Sequence, residues 1–125
     1  MSRGPPPSQL CLLSSIPDQP AGLKVRFLGC VTGYATETGI LSLGHLYPAG
    51  TDVTVAVDVQ LVLHRLSSDD IQVGQWLNVI GTVERKNKKS KSPARVQALL
   101  VWSTNGRFDL EEYEALVSSQ TTRVP

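Results

Sequence analysis

The stretch KVRFLGCVTGY, residues 24–34, carries apolar side chains on both faces of an extended chain and has two glycines inside it. Alternate residues of a strand point to opposite sides, so Val25, Phe27 and Val31 share one face while Leu28 and Cys30 share the other. Apolar residues on both sides imply burial on both sides, as in a strand shared between two layers of sheet. Gly29 and Gly33 interrupt the run, and glycine within a strand marks a bulge or a sharp bend. This two-sided, bent character is what a strand shared across the seam of a small barrel would need.

The flanking sequence supplies the rest of that barrel. TETG, residues 36–39, is a hairpin turn into GILSLGH, where Leu41 and Leu43 face inward. YPAGT, residues 47–51, is the next turn, with Pro48 presetting its φ angle. DVTVAVDV then alternates Val53, Val55, Val57 and Val59 against Thr54, Ala56 and Asp58. Past Asp58 two readings stay open: the strand continues through Leu61 and Leu63, or residues 61–66 turn helical. SSDD, residues 67–70, suits a cap on a short turn before Gly74. WLNVIGTVERK, from Trp76, is a fourth strand with Leu77, Val79 and Val83 toward the core and Gly81 as a bend. ARVQALLVW, residues 94–102, is the fifth. Upstream, Leu10 to Leu13 reads as a short edge strand or an apolar latch, and Pro17, Pro20 and Gly22 break the chain into a loop. Five strands with these bends, and a helical element between the third and fourth, outline an all-β single OB-fold, a five-stranded Greek-key barrel. An SH3-like barrel or an open sheet plus helix is the alternative that the same pattern admits.

After the NG turn at 105 and 106, FDLEEYEALVSSQ reads as a C-terminal α-helix. Asp109 suits the N-cap, Glu112 is its capping-box partner three residues on, and Phe108 staples onto Tyr113. Leu110, Tyr113, Leu116 and Val117 fall on one stripe, with Glu111, Glu112 and Glu114 facing away. Packing on the chain's own barrel and packing on a partner need the same spacing. The expected organisation is a disordered Pro-rich segment over 1–9, the OB-fold with its helix over 10–119, and a flexible tail over 120–125.

RKNKKSKSPAR, residues 85–95, holds six of the twelve Lys and Arg residues and no acid, although the whole chain is only +1. It would connect the fourth and fifth strands, a loop that flanks the ligand-binding face of an OB-fold. Arg85, Lys86, Lys88, Lys89, Lys91 and Arg95 are therefore candidate nucleic-acid contacts, acting through counterion release rather than base reading. Lysine also serves such loops by keeping an edge solvated. No aromatic interleaves the charges, and stacking rings are scarce elsewhere: Phe27 and Trp102 are expected in the core, leaving Tyr34 and Tyr47 near the loops. Weak or accessory binding is the expectation.

Other chemistry has no foothold. Cys11 and Cys30 lack metal or redox spacing and read as small core residues in a reducing compartment. His45 and His64 have no nucleophile nearby in sequence and read as surface or packing residues. No catalytic, metal-ligating or cofactor motif is visible. No apolar run approaches the roughly 18 residues of a membrane span, so no membrane association is expected and the chain reads as soluble and intracellular.

KVRFLGCVTGYATETGILSLGHLYPAG, VAVDVQLVL and VGQWLNVIGTV together resemble the fungal Ten-one family, the smallest subunits of the CST telomere-capping complex. The resemblance covers roughly residues 10–105, with VRFLGCV, LYPAG and VGQWLNVIG carrying most of its specificity. It implies a non-enzymatic OB-fold that pairs with the N-terminal OB-fold of the larger Stn-one subunit, much as the small and middle subunits of replication protein A pair. It further implies assembly with the large CST subunit, a place at telomeric chromosome ends in the nucleus, and single-stranded telomeric DNA bound weakly or through the complex. By the same resemblance, Leu110, Tyr113, Leu116 and Val117 would sit at the heterodimer interface.

Overall fold

Six strands follow one another along the chain: β1 (Gln9–Leu10), β2 (Lys24–Ala35), β3 (Ile40–Gly44), β4 (Thr54–Asp58), β5 (Trp76–Val83) and β6 (Ala94–Ser103). They belong to a computed structural model that describes residues 8–45, 50, 52–84, 94–104 and 113–117. The sheet order is β1-β2-β3-β4-β6-β5, and β2 pairs again with β5 to close the barrel. β2 has length enough for two partners: Lys24 to Cys30 lie antiparallel to β5, and Cys30 to Ala35 lie antiparallel to β3. β4 and β6 run parallel, and the other barrel pairings are antiparallel. This is the OB-fold pairing, so the two-sided strand reading of residues 24–34 holds.

Bends fall at the glycines. The β2–β3 register shifts between Val31 and Gly33, and the β5–β6 register shifts between Ile80 and Gly81. At Gly81 a Cβ would overlap the Gln97 carbonyl oxygen and lie 2.7 Å from Val96 Cγ1, so only glycine lets β6 cross this closely. In the TETG hairpin Gly39 takes φ +69°, a value that costs glycine little.

Inward positions form one core. Val25, Phe27, Leu41, Leu43, Val55, Val57, Leu77, Val79 and Val96 are fully buried, as the alternation requires. Val53 is only half-buried, at the rim where β4 begins. The end of the barrel is plugged by a 3-10 helix over Leu13–Asp18, whose Leu13 and Ile16 are fully buried. Of the two readings of Leu10 to Leu13 both hold in part: Gln9 and Leu10 form a short strand parallel to β2, so the fold begins before residue 10, and Cys11, Leu12 and Leu13 are buried as an apolar latch.

Past Asp58 the helical alternative wins. Gln60–Arg65 is a 3-10 helix that buries Val62 and turns Leu61 and Leu63 outward. Asp58 explains the switch. Its buried carboxylate accepts the Gln60 N–H at 3.0 Å, capping the helix, and takes Arg95 Nη2 at 3.3 Å. A buried carboxylate without such partners would be strongly unfavourable. Ser67 and Asp70 cap each other's backbone across the following turn, at 2.9 and 3.3 Å.

Candidate functional site

Three surfaces of the barrel carry chemistry. The first is the base of the loop between β5 and β6. Arg85, Lys86, Lys88, Lys89 and Lys91 lie outside the described residues; Arg95 lies within them. Its guanidinium donates through Nε to Glu84 Oε1 at 3.2 Å and through Nη2 to Asp58 Oδ2 at 3.3 Å. Arg95 is therefore committed to two carboxylates of its own chain, and its charge is compensated where the loop leaves the barrel.

The second surface is the short C-terminal helix, α1, described over residues 113–117. Leu110, together with Phe108, Asp109, Glu111 and Glu112 of the expected cap, lies outside the described residues. The stripe divides. Tyr113 reaches the outer face of β2, where its hydroxyl accepts the Leu28 N–H at 3.1 Å and donates to the Cys11 carbonyl at 3.2 Å. Burial pushes its phenol up to about 12, against a smaller opposite effect of the Leu28 hydrogen bond. Val117 is fully buried, and Leu116 is 55% exposed. Two members of the stripe thus pack against their own chain, Tyr113 over Leu28 on the outer face, and Leu116 is left exposed. Glu114, expected to face away, instead accepts from His45 Nε2 at 2.6 Å. His45 is buried beside Trp76, its ring set edge-on at a centroid distance of 5.3 Å.

Along the same outer face, register places Arg26, Ile80 and Leu100 in one cross-strand row and Leu28, Asn78 and Trp102 in the next. Leu99 and Leu100 are exposed because the β6 bulge turns both outward. Trp102, expected in the core, is half-buried on the outside, with the Arg26 guanidinium 5.3 Å from its ring centroid. The bulge explains the miss, since it resets the alternation between Ala98 and Leu100.

The third surface is a cleft of about 370 Å³ at the end of the barrel where β3 ends and β4 and β5 begin. His45, Trp76 and Cys30 form its walls, Thr32 and Thr54 its edges, and Asp52 and Glu114 bring carboxylates to it. Both thiols, Cys30 here and Cys11 beneath α1, are pushed up by burial and favour the neutral form. The sequence signalled none of this cleft, because Thr32, His45, Trp76 and Glu114 meet only through folding. Among the described residues no group of three His, Cys, Asp or Glu side chains is placed to hold a metal ion.

Comparison with known proteins accords with this fold. The Ten1 family, described as telomere capping, CST complex subunit, matches residues 1–118. Protein ten1 of Schizosaccharomyces pombe is 33% identical over 113 residues, covering 90% of this chain and 93% of its own. The crystal structure of the S. pombe Stn1-ten1 complex contains a chain similar at a TM-score of 0.74 and 33% identity, over 94% of this chain and 95% of that one. Replication protein A of U. maydis, solved bound to ssDNA, reaches a TM-score of 0.60 over 92% of this chain and 90% of its own. At 18% identity that likeness speaks for the OB-fold alone. With the family matched over nearly the whole length and one-third identity to a relative over nine-tenths of both chains, the chain belongs to the Ten1 family of telomere-capping CST complex subunits.

Proposed function

We propose that this chain works as the small OB-fold subunit of a telomere-capping complex at chromosome ends in the nucleus, joined to the N-terminal OB-fold of a Stn1-type subunit. Its role is non-catalytic: it completes a heterodimer that, with the large CST subunit, holds single-stranded telomeric DNA. The observation that carries the reading is the exposed apolar surface beside a barrel whose own core is complete. Leu99, Leu100 and Leu116 remain exposed although the barrel is closed, and apolar surface of this kind suits the buried core of a stable interface. Tyr113 and Val117 serve this surface indirectly, by holding α1 on the barrel so that Leu116 projects from a fixed platform.

DNA is assigned to the assembled complex. The basic loop adds non-specific electrostatic contact, and with Arg95 paired inside the chain its reach depends on Arg85, Lys86, Lys88, Lys89 and Lys91. Co-expression with the Stn1-type subunit of the same organism, followed by light scattering across the size-exclusion peak, tests the proposal. A 1:1 heterodimer is expected. Two proteins eluting separately at micromolar concentration would overturn it, and tight binding of single strands by the lone chain would favour a free-standing DNA binder.

A further inference from the structure

The two ends of the barrel differ in charge. The Val83 end of β5 leads into the lysine-rich loop, whereas the Trp76 end opens on the cleft. β5 spans eight residues, so roughly 23 Å separate the two at about 3.3 Å per residue. Among the described residues that line the cleft, Asp52 and Glu114 are carboxylates, and Lys and Arg are absent. A phosphate backbone would be repelled here. The cleft volume of about 370 Å³ suits a small group.

An aromatic wall edged by carboxylates stabilises a cation in two ways. The Trp76 ring attracts it through its quadrupole. The carboxylates accept charge-assisted hydrogen bonds, and Glu114 has lone pairs beyond the one that His45 engages. Cys30, Val53 and the Trp76 ring offer apolar contact for a side-chain stem. A planar guanidinium on a three-carbon stem satisfies all three, since it stacks, forks onto carboxylates and sheds water more readily than an ammonium. We infer that this cleft receives an arginine side chain from a protein partner. The inference rests on reading the chain as a subunit that assembles with other proteins.

The test uses the full-length chain, ¹⁵N-labelled, titrated with the peptide acetyl-Ala-Arg-Ala-amide and followed at the Trp76 indole N–H. The Trp76 signal and the Thr32 and Thr54 amides should shift together. The citrulline peptide has the same shape without the charge, and should bind about tenfold more weakly. Asp52 is exposed, so Asp52→Asn should melt like the parent chain yet bind the arginine peptide about threefold more weakly. Absent shifts, or equal shifts with citrulline, overturn the inference. A stronger response to deoxyguanosine than to the arginine peptide also overturns it, and makes the cleft a base-binding site. Failure of the two ideas can be told apart. Arginine binding without a Stn1-type heterodimer would sink the assembly reading, whereas an intact heterodimer without arginine binding would sink the cleft assignment alone.

Discussion

Replacing Tyr113 by phenylalanine removes one oxygen atom and, with it, two hydrogen bonds that help fasten α1 to the barrel. The Leu28 N–H loses its 3.1 Å acceptor and the Cys11 carbonyl its 3.2 Å donor, while the ring keeps its packing. Leaving a buried backbone donor without a partner costs about 1–3 kcal/mol, so a loss near 2 kcal/mol is expected. For a domain of this size that lowers Tm by roughly 8 °C. The same hydroxyl gives a pH signature. Its folded-state pKa is raised from 10.0 to about 12, so its contribution is fully present below pH 10 and is lost as pH climbs through 12. Two units correspond to about 3 kcal/mol as an upper figure. Denaturant unfolding from pH 7 to pH 11.5 should therefore show the parent chain losing its advantage over Tyr113→Phe as pH rises past 10. A variant that melts with the parent at every pH, but binds the Stn1-type subunit less well, would refute the reasoning and return the hydroxyl to the partner interface.

Gly81→Ala should destabilise the chain by at least about 2 kcal/mol in denaturant unfolding, because the new methyl meets the backbone of β6 rather than a side chain that can move. Val55→Asp should abolish the cooperative melt altogether, since it buries an unpaired carboxylate at a position with no solvent exposure. Replacing Lys86, Lys88, Lys89 and Lys91 with serine should flatten the salt dependence of single-strand binding by the assembled complex, measured by fluorescence anisotropy, without altering base preference.

What was legible in the sequence was whatever local periodicity encodes. Val25 and Phe27, Val55 and Val57, and Leu77 and Val79 announce their faces because a strand repeats every two residues, and Gly81 announces its bend because its neighbours are otherwise ideal strand formers. Where local preference was balanced, tertiary context decided. Leu61 to Leu66 fits either a strand or a helix, and only the buried Asp58, capping Gln60 and taking Arg95 across the β4–β6 pair, selects the helix. The β6 bulge moved Trp102 to the outside by the same kind of non-local cause. The surfaces were less readable still. Tyr113 reaches partners 85 and 102 residues away, and His45 meets Glu114 across 69. A stripe of apolar residues announces that a helix packs, and the barrel's geometry decides which of its members pack inward. Arg95 made the same point from the charged side, since its two carboxylate partners come together only when β4, β5 and β6 do.

The division of α1, with Tyr113 and Val117 on the barrel and Leu116 turned outward, is tested most directly by titrating the Leu116→Ser chain into the Stn1-type subunit in a calorimeter. Leu116 is more than half exposed, so Leu116→Ser should leave the chain's own melting unchanged. Removing an apolar anchor from an interface costs on the order of 1–2 kcal/mol, so the predicted result is roughly a tenfold loss of affinity. An unchanged Kd would contradict the proposal that this helix presents Leu116 to a partner.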